Sequence, residues 1–68
     1  MSAYKIIEVV GTSGKSWEDA TQQAVSSASA SLRNLRIAEV LKMDATLDKK
    51  GKIKEFRARV SLSFKYDP

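Results

Sequence analysis

The sequence predicts an α+β fold of the order strand-helix-strand-strand, with a three-stranded antiparallel sheet partly wrapping one helix. Three observations carry this reading. Within Ile53 to Tyr66, apolar residues alternate with polar ones from Glu55 onward. From Ser16 to about Arg33, apolar residues recur at three- and four-residue steps. Between the last two extended stretches, Gly51 interrupts a polar, lysine-rich turn. The period of two marks a half-buried strand, and the three- and four-residue spacing marks an amphipathic helix. At 68 residues, the chain is read as a single domain, 1–68.

The first strand is Tyr4 to Val10, rich in β-branched residues and apolar on both faces. Gly11 and Gly14 then read as a tight turn into the helix. Ser16 is a suitable N-cap, with Asp19 at the third helical position and Glu18 beside it, where the helix dipole favours negative charge. The apolar stripe is Trp17, Ala20, Ala24, Val25, Ala28 and Leu32. Its alanines allow a close approach to a sheet, and Trp17 is expected in the core. The opposite face is largely serine and glutamine, so tertiary packing must hold the helix. Asn34 reads as the helix stop.

The second strand runs from Arg36 to Asp48. Ile37, Leu41, Met43, Ala45 and Leu47 fall on one parity; Ala38, Val40, Lys42, Asp44 and Thr46 fall on the other. Asp48 to Lys52 is the turn, with Gly51 free to take positive φ. In the third strand, Phe56, Ala58, Val60, Leu62, Phe64 and Tyr66 alternate with Glu55, Arg57, Arg59, Ser61, Ser63 and Lys65. A slip of one residue would expose every apolar side chain on that strand. With only one helix, the second sheet face and the sheet edges must meet water or other copies of the chain.

Composition narrows the functional classes. The hydrophobic fraction of 43% argues for a folded chain. There is no Cys and no His, which leaves no disulfide, no ordinary zinc site and no Ser-His or Cys-His pair. No apolar run approaches the ~20 residues needed to span a bilayer. The first residues lack a signal-peptide pattern, so a cytoplasmic protein without membrane partners is expected. The net charge is +4, and seven of the twelve basic residues lie at or beyond Lys49, opposed there by Glu55 and Asp67. A nucleic-acid or other polyanion partner and a solvated strand edge both account for this bias. No aromatics interleave the charges on one face as a nucleic-acid platform needs, which favours the solvated edge.

Gly14-Lys15-Ser16 matches the tail of a phosphate-binding loop between strand and helix. The first glycine of that pattern would stand at position 9, which is Val9. No further parallel strand offers a magnesium-binding carboxylate. The stretch reads instead as a turn and a helix cap. Glu18 and Asp19 point in different directions on a helix and do not pair as acid and base. The chain is therefore read as no enzyme. Asp44 and Asp48 share a parity on a regular strand. They are candidates to offer oxygens to calcium, whose six to eight sites would need other chains or water; two solvated acids are the plainer reading.

The strand ending Val9-Val10-Gly11-Thr12-Ser13, the alanine-rich helix, the strand entered through Leu35-Arg36-Ile37-Ala38-Glu39-Val40, and the close on Ser63-Phe64-Lys65 resemble dodecins. The resemblance covers nearly the whole chain, with about one extra residue at the Gly51 turn. It implies a hollow homododecamer that binds flavins, FMN or riboflavin, in stacked pairs between subunits, for storage rather than reaction. Three positions equivalent to the family's flavin site are altered. Ile37 stands where the family has a stacking Trp, Arg57 where it has a Gln, and Asp44 where some members have an Arg near the flavin phosphate. Flavin binding is therefore expected to be weakened or lost. Ser16-Trp17-Glu18 is similar to a branch that lacks the stacking aromatic, with a member described as a calcium-binding dodecin. The expected ligand is a small molecule, with calcium as one candidate at unassigned positions.

Overall fold

The last strand is the centre of the sheet. In a computed structural model describing residues 2–66, the elements run β1 (Ala3–Ser13), α1 (Trp17–Ser29), β2 (Leu35–Leu47) and β3 (Ile53–Tyr66). The sheet order is β1-β3-β2, with both pairings antiparallel. The strand-helix-strand-strand fold expected from the alternation is thus the observed one. Asp67, counted above among the acidic residues, lies outside the described residues, as does Met1.

One face of β3 carries the core. Ala58, Val60 and Leu62 are buried, and Ala20, Ala24 and Ala28 of α1 lie against them. Ile7, Val9, Val25, Leu32 and Leu35 pack around this group. The helix sits mainly over β1 and β3 and barely touches β2. Its alanines matter because Gly11 faces them. A Cβ on Gly11 would stand 1.9 Å from the Ala20 carbonyl oxygen and 2.9 Å from the Ala24 Cβ. Gly11 is therefore needed for the contact of helix and strand, not for a turn. It lies within β1, opposite Ala58, so β1 continues three residues beyond Val10.

The helix is shorter than its pattern. It ends at Ser29 with Ala30 as C-cap, rather than near Arg33. Ser29 Oγ donates to the Ser26 carbonyl, and the amides of Ala30, Ser31 and Leu32 all turn back to the Ala28 carbonyl. Serine hydroxyls that bond nearby carbonyls compete with helix propagation. Asn34 does adopt a positive φ of 62°, but it redirects the chain into β2 and does not cap the helix.

In β2 the expected regular parity fails. The register shifts between Leu35 and Ile37, between Val40 and Lys42, and between Thr46 and Leu47. Residues directly opposite on paired strands share a face. Ala38, Val40, Met43 and Ala45 thus share the helix side with Leu62, Val60, Ala58 and Phe56, while Ile37 and Asp44 share the outer side with Ser63 and Arg57. A bulge adds a residue and resets the alternation, so Ile37 and Met43 are separated although the sequence puts them on one parity. Asp48 lies beyond β2, in the turn where Gly51 has φ 79°.

Candidate functional site

The outer sheet face is uncovered, and its rungs have distinct chemistry. Across β1, β3 and β2 they read Ile6–Ser63–Ile37, Glu8–Ser61–Glu39, Val10–Arg59–Lys42 and Thr12–Arg57–Asp44. An apolar rung, an acidic rung, a basic rung and an ion-paired rung follow in succession. Single-sequence parity could not show this, because the rungs depend on strand order and on the bulges.

Ile37, Asp44 and Arg57 all lie on this face, but they do not form one cluster. Arg57 Nε donates to Asp44 Oδ1 at 2.8 Å. The pair follows from register, since the two residues stand directly opposite. Each side chain keeps at least 40% of its exposure, so the pair contributes at most about 1 kcal/mol. Ile37 stands opposite Ser63. Ser63 is three rungs from Arg57, or about 20 Å along a strand. One chain therefore presents a charged corner and a separate aliphatic position, 63% exposed.

A small open groove runs beside Ile37. It measures about 110 Å³ and is lined by Val25, Leu35, Arg36, Ile37, Ala38 and Leu62. Sites that enclose organic ligands are commonly about 300–1,000 Å³. A tricyclic ring exceeds what this single-chain groove can enclose.

The acids are committed locally. Asp48 Oδ1 accepts from the amides of Lys50 and Lys52, so it holds the turn and does not share a strand face with Asp44. Among the described residues, no group of three or more His, Cys, Asp or Glu side chains converges as a metal site. Thr46 Oγ1, one rung beyond Asp44, is buried without a hydrogen-bond partner.

The stretch resembling a phosphate loop is turned in on itself. Ser13 Oγ donates to Asp19 Oδ2 at 2.6 Å and accepts from the Lys15 amide, while Ser16 Oγ accepts from the Asp19 amide. Glu18 and Asp19 place negative charge in the first turn, where an anion would otherwise be attracted. The turn-and-cap reading holds. Ser13 as a second strap on Asp19 was not read from the sequence.

Trp17 is not a core residue. It is 36% exposed, because it lies at the rim where α1 begins. Its indole Nε1 donates to the Asp44 carbonyl at 2.9 Å, and its ring meets Phe56 edge-on at 4.8 Å between centroids. Trp17 thus ties the helix start to the β2–β3 hairpin.

No helix among the described residues is long and apolar enough to cross a membrane. The dodecin family model matches residues 3–67. The whole chain is 43% identical to calcium dodecin of Mycobacterium tuberculosis and covers 94% of that protein. A crystal structure of that calcium dodecin, described as calcium chelating and as having a novel calcium-binding site, aligns at TM-score 0.85 and 42% identity, covering 98% of this chain and 94% of the other. A Thermus thermophilus dodecin variant aligns at TM-score 0.92 and 32% identity over the full length of both chains. Dodecin from Streptomyces coelicolor aligns at 0.93 and 30%, covering 98% and 94%. The match in fold, length and sequence is complete enough to conclude that this chain belongs to the dodecin family.

Proposed function

We propose that this protein is a non-catalytic small-ligand-binding and storage protein, acting as a homododecamer, in which flavin binding is weakened or lost. The observation that carries this reading is the Asp44–Arg57 ion pair. At two positions of the family's flavin site, the chain satisfies its own charges with each other. At the third, Ile37 supplies no aromatic stacking, which is worth about 0.5–1.5 kcal/mol beyond buried area. Self-assembly is supported by the thin core, which among the described residues has six buried apolar side chains, four of them alanine, and by exposed apolar side chains on both sheet faces, including Ile6, Ile37, Val40 and Met43. A small domain with so little buried area needs further contacts.

Calcium is the ligand favoured by likeness to a protein named calcium dodecin. A calcium site here would draw oxygens from more than one copy, because calcium takes six to eight of them. A flavin-binding dodecin is the alternative.

Light scattering coupled to size-exclusion chromatography tests the assembly, with twelve chain masses expected and a stable monomer contradicting it. Calorimetric titration of the assembly with calcium, and fluorescence titration with FMN, test the ligand. Saturable calcium heat with weak FMN quenching is expected; micromolar FMN quenching would reverse the order of the two readings. The double variant Ile37→Trp with Arg57→Gln is expected to recover part of the flavin affinity. Because these residues stand about 20 Å apart along the strands of one chain, recovery greater than the sum of the single variants would place them together across a subunit contact.

A further inference from the structure

We propose that Trp17 is a positioning residue for the Asp44–Arg57 corner, and that a change in the charge state or occupancy of that corner is transmitted to the start of α1. The inference deepens the ligand-binding reading and rests on it for the identity of the corner as a binding position. The contact itself stands independently.

Asp44 is held twice. Its carboxylate meets Arg57 across the strand pair, and its carbonyl meets the Trp17 indole. The two bonds leave the same residue in different directions, one toward the outer face and one toward the helix start. β2 is an edge strand, so one side of its backbone has no ladder partner. Register shifts lie on both sides of Asp44, between Val40 and Lys42 and between Thr46 and Leu47. Bulges interrupt regular pairing and leave a strand locally adjustable. The short segment that presents Asp44 is therefore fixed at its outer edge by Trp17.

Trp17 is in turn well anchored. Its ring packs on Phe56, which stands opposite Ala45. Its backbone follows the Ser16 cap, and the Ser16–Asp19–Ser13 bonds fasten that cap to the end of β1. A ligand that draws the Asp44 carboxylate from Arg57, or an anion that draws Arg57 from Asp44, moves the residue whose carbonyl Trp17 holds. Outer groups that orient a binding residue affect affinity without touching the ligand. The hydrogen bond from the indole is such a link, and the sequence holds no second Trp to obscure its signal.

Trp17 fluorescence, excited where tyrosine is silent, reads the link directly. Arg57→Gln and Asp44→Asn are expected to shift the Trp17 emission maximum, while Lys49→Gln at the distant turn leaves it in place. Trp17→Phe keeps an aromatic ring beside Phe56 while removing the N–H donor and part of the ring area. It is expected to weaken the calcium titration about threefold to tenfold, the scale of one hydrogen bond, with little change in melting temperature. Unaltered emission in both corner variants would overturn the proposal. So would a calcium affinity that Trp17→Phe leaves intact. Should the wild-type assembly bind neither calcium nor FMN, the ligand reading falls, and the emission of the two corner variants alone still decides the role of Trp17.

Discussion

The two faces of the sheet differ in what each asks of its side chains. On the helix side, Ala58, Val60 and Leu62 meet Ala20, Ala24 and Ala28 at close range, and Gly11 has no room for a methyl group. On the outer side, apolar, acidic, basic and ion-paired rungs follow one another, and Ile6 and Ile37 are largely exposed. The first face is constrained by volume, and only small residues solve it. The second is constrained by whatever it meets. A family can therefore keep its backbone while its ligand chemistry varies, because the two requirements fall on alternate residues of the same strands.

Substitutions on the two faces should separate these demands. The largest effect is expected for Gly11→Ala, because the contact it creates is with backbone and cannot rotate away. A loss at or above about 3 kcal/mol is expected, read by urea unfolding at fixed protein concentration. A loss below 1 kcal/mol would mean that α1 can shift off the sheet. Leu62→Ala should cost about 2–3 kcal/mol in the same assay, near the lower end of core truncations, because its surroundings are small and shallow. Ser16→Ala removes the acceptor for the Asp19 amide and should cost about 1 kcal/mol. The smallest stability change, below about 1 kcal/mol, is expected for Arg57→Gln, yet it should change ligand titration more than any of the others. If Arg57→Gln instead unfolded the chain while Leu62→Ala did not, the division between the faces would fail.

Sequence pattern makes most of β3 legible residue by residue, because the alternation from Glu55 to Tyr66 has one register that buries it. The helix start was equally legible, since Ser16 and Asp19 are a local cap. The helix end was not. Ser29 bonds the Ser26 carbonyl in the folded chain, and that competition has no period to read. Gly11 reads from the sequence as part of a turn; its reason lies in α1, nine residues away at Ala20. The charged corner was half legible. Asp44 and Arg57 were singled out, but their pairing depends on bulges in β2 that the apolar pattern hides. The distance from that corner to Ile37 required the register itself. Trp17 reads as part of an apolar stripe, whereas its bond to Asp44 joins residues 27 apart in the chain, which no local pattern shows.

The turn at Gly51 has a practical consequence. β1 ends opposite Phe56, so Thr46–Glu55, Leu47–Ile53 and the turn project beyond the three-stranded region. The turn is closed through Asp48, whose side chain accepts from the amides of Lys50 and Lys52 and whose backbone bonds to Gly51 and Lys52, and a Cβ at Gly51 meets no atom within 4 Å. Exposed loop tips of this kind tolerate inserted sequence. A short peptide spliced between Lys50 and Gly51 would be carried clear of the core on a two-stranded arm. The graft point is thereby set apart from the packing that folds the chain.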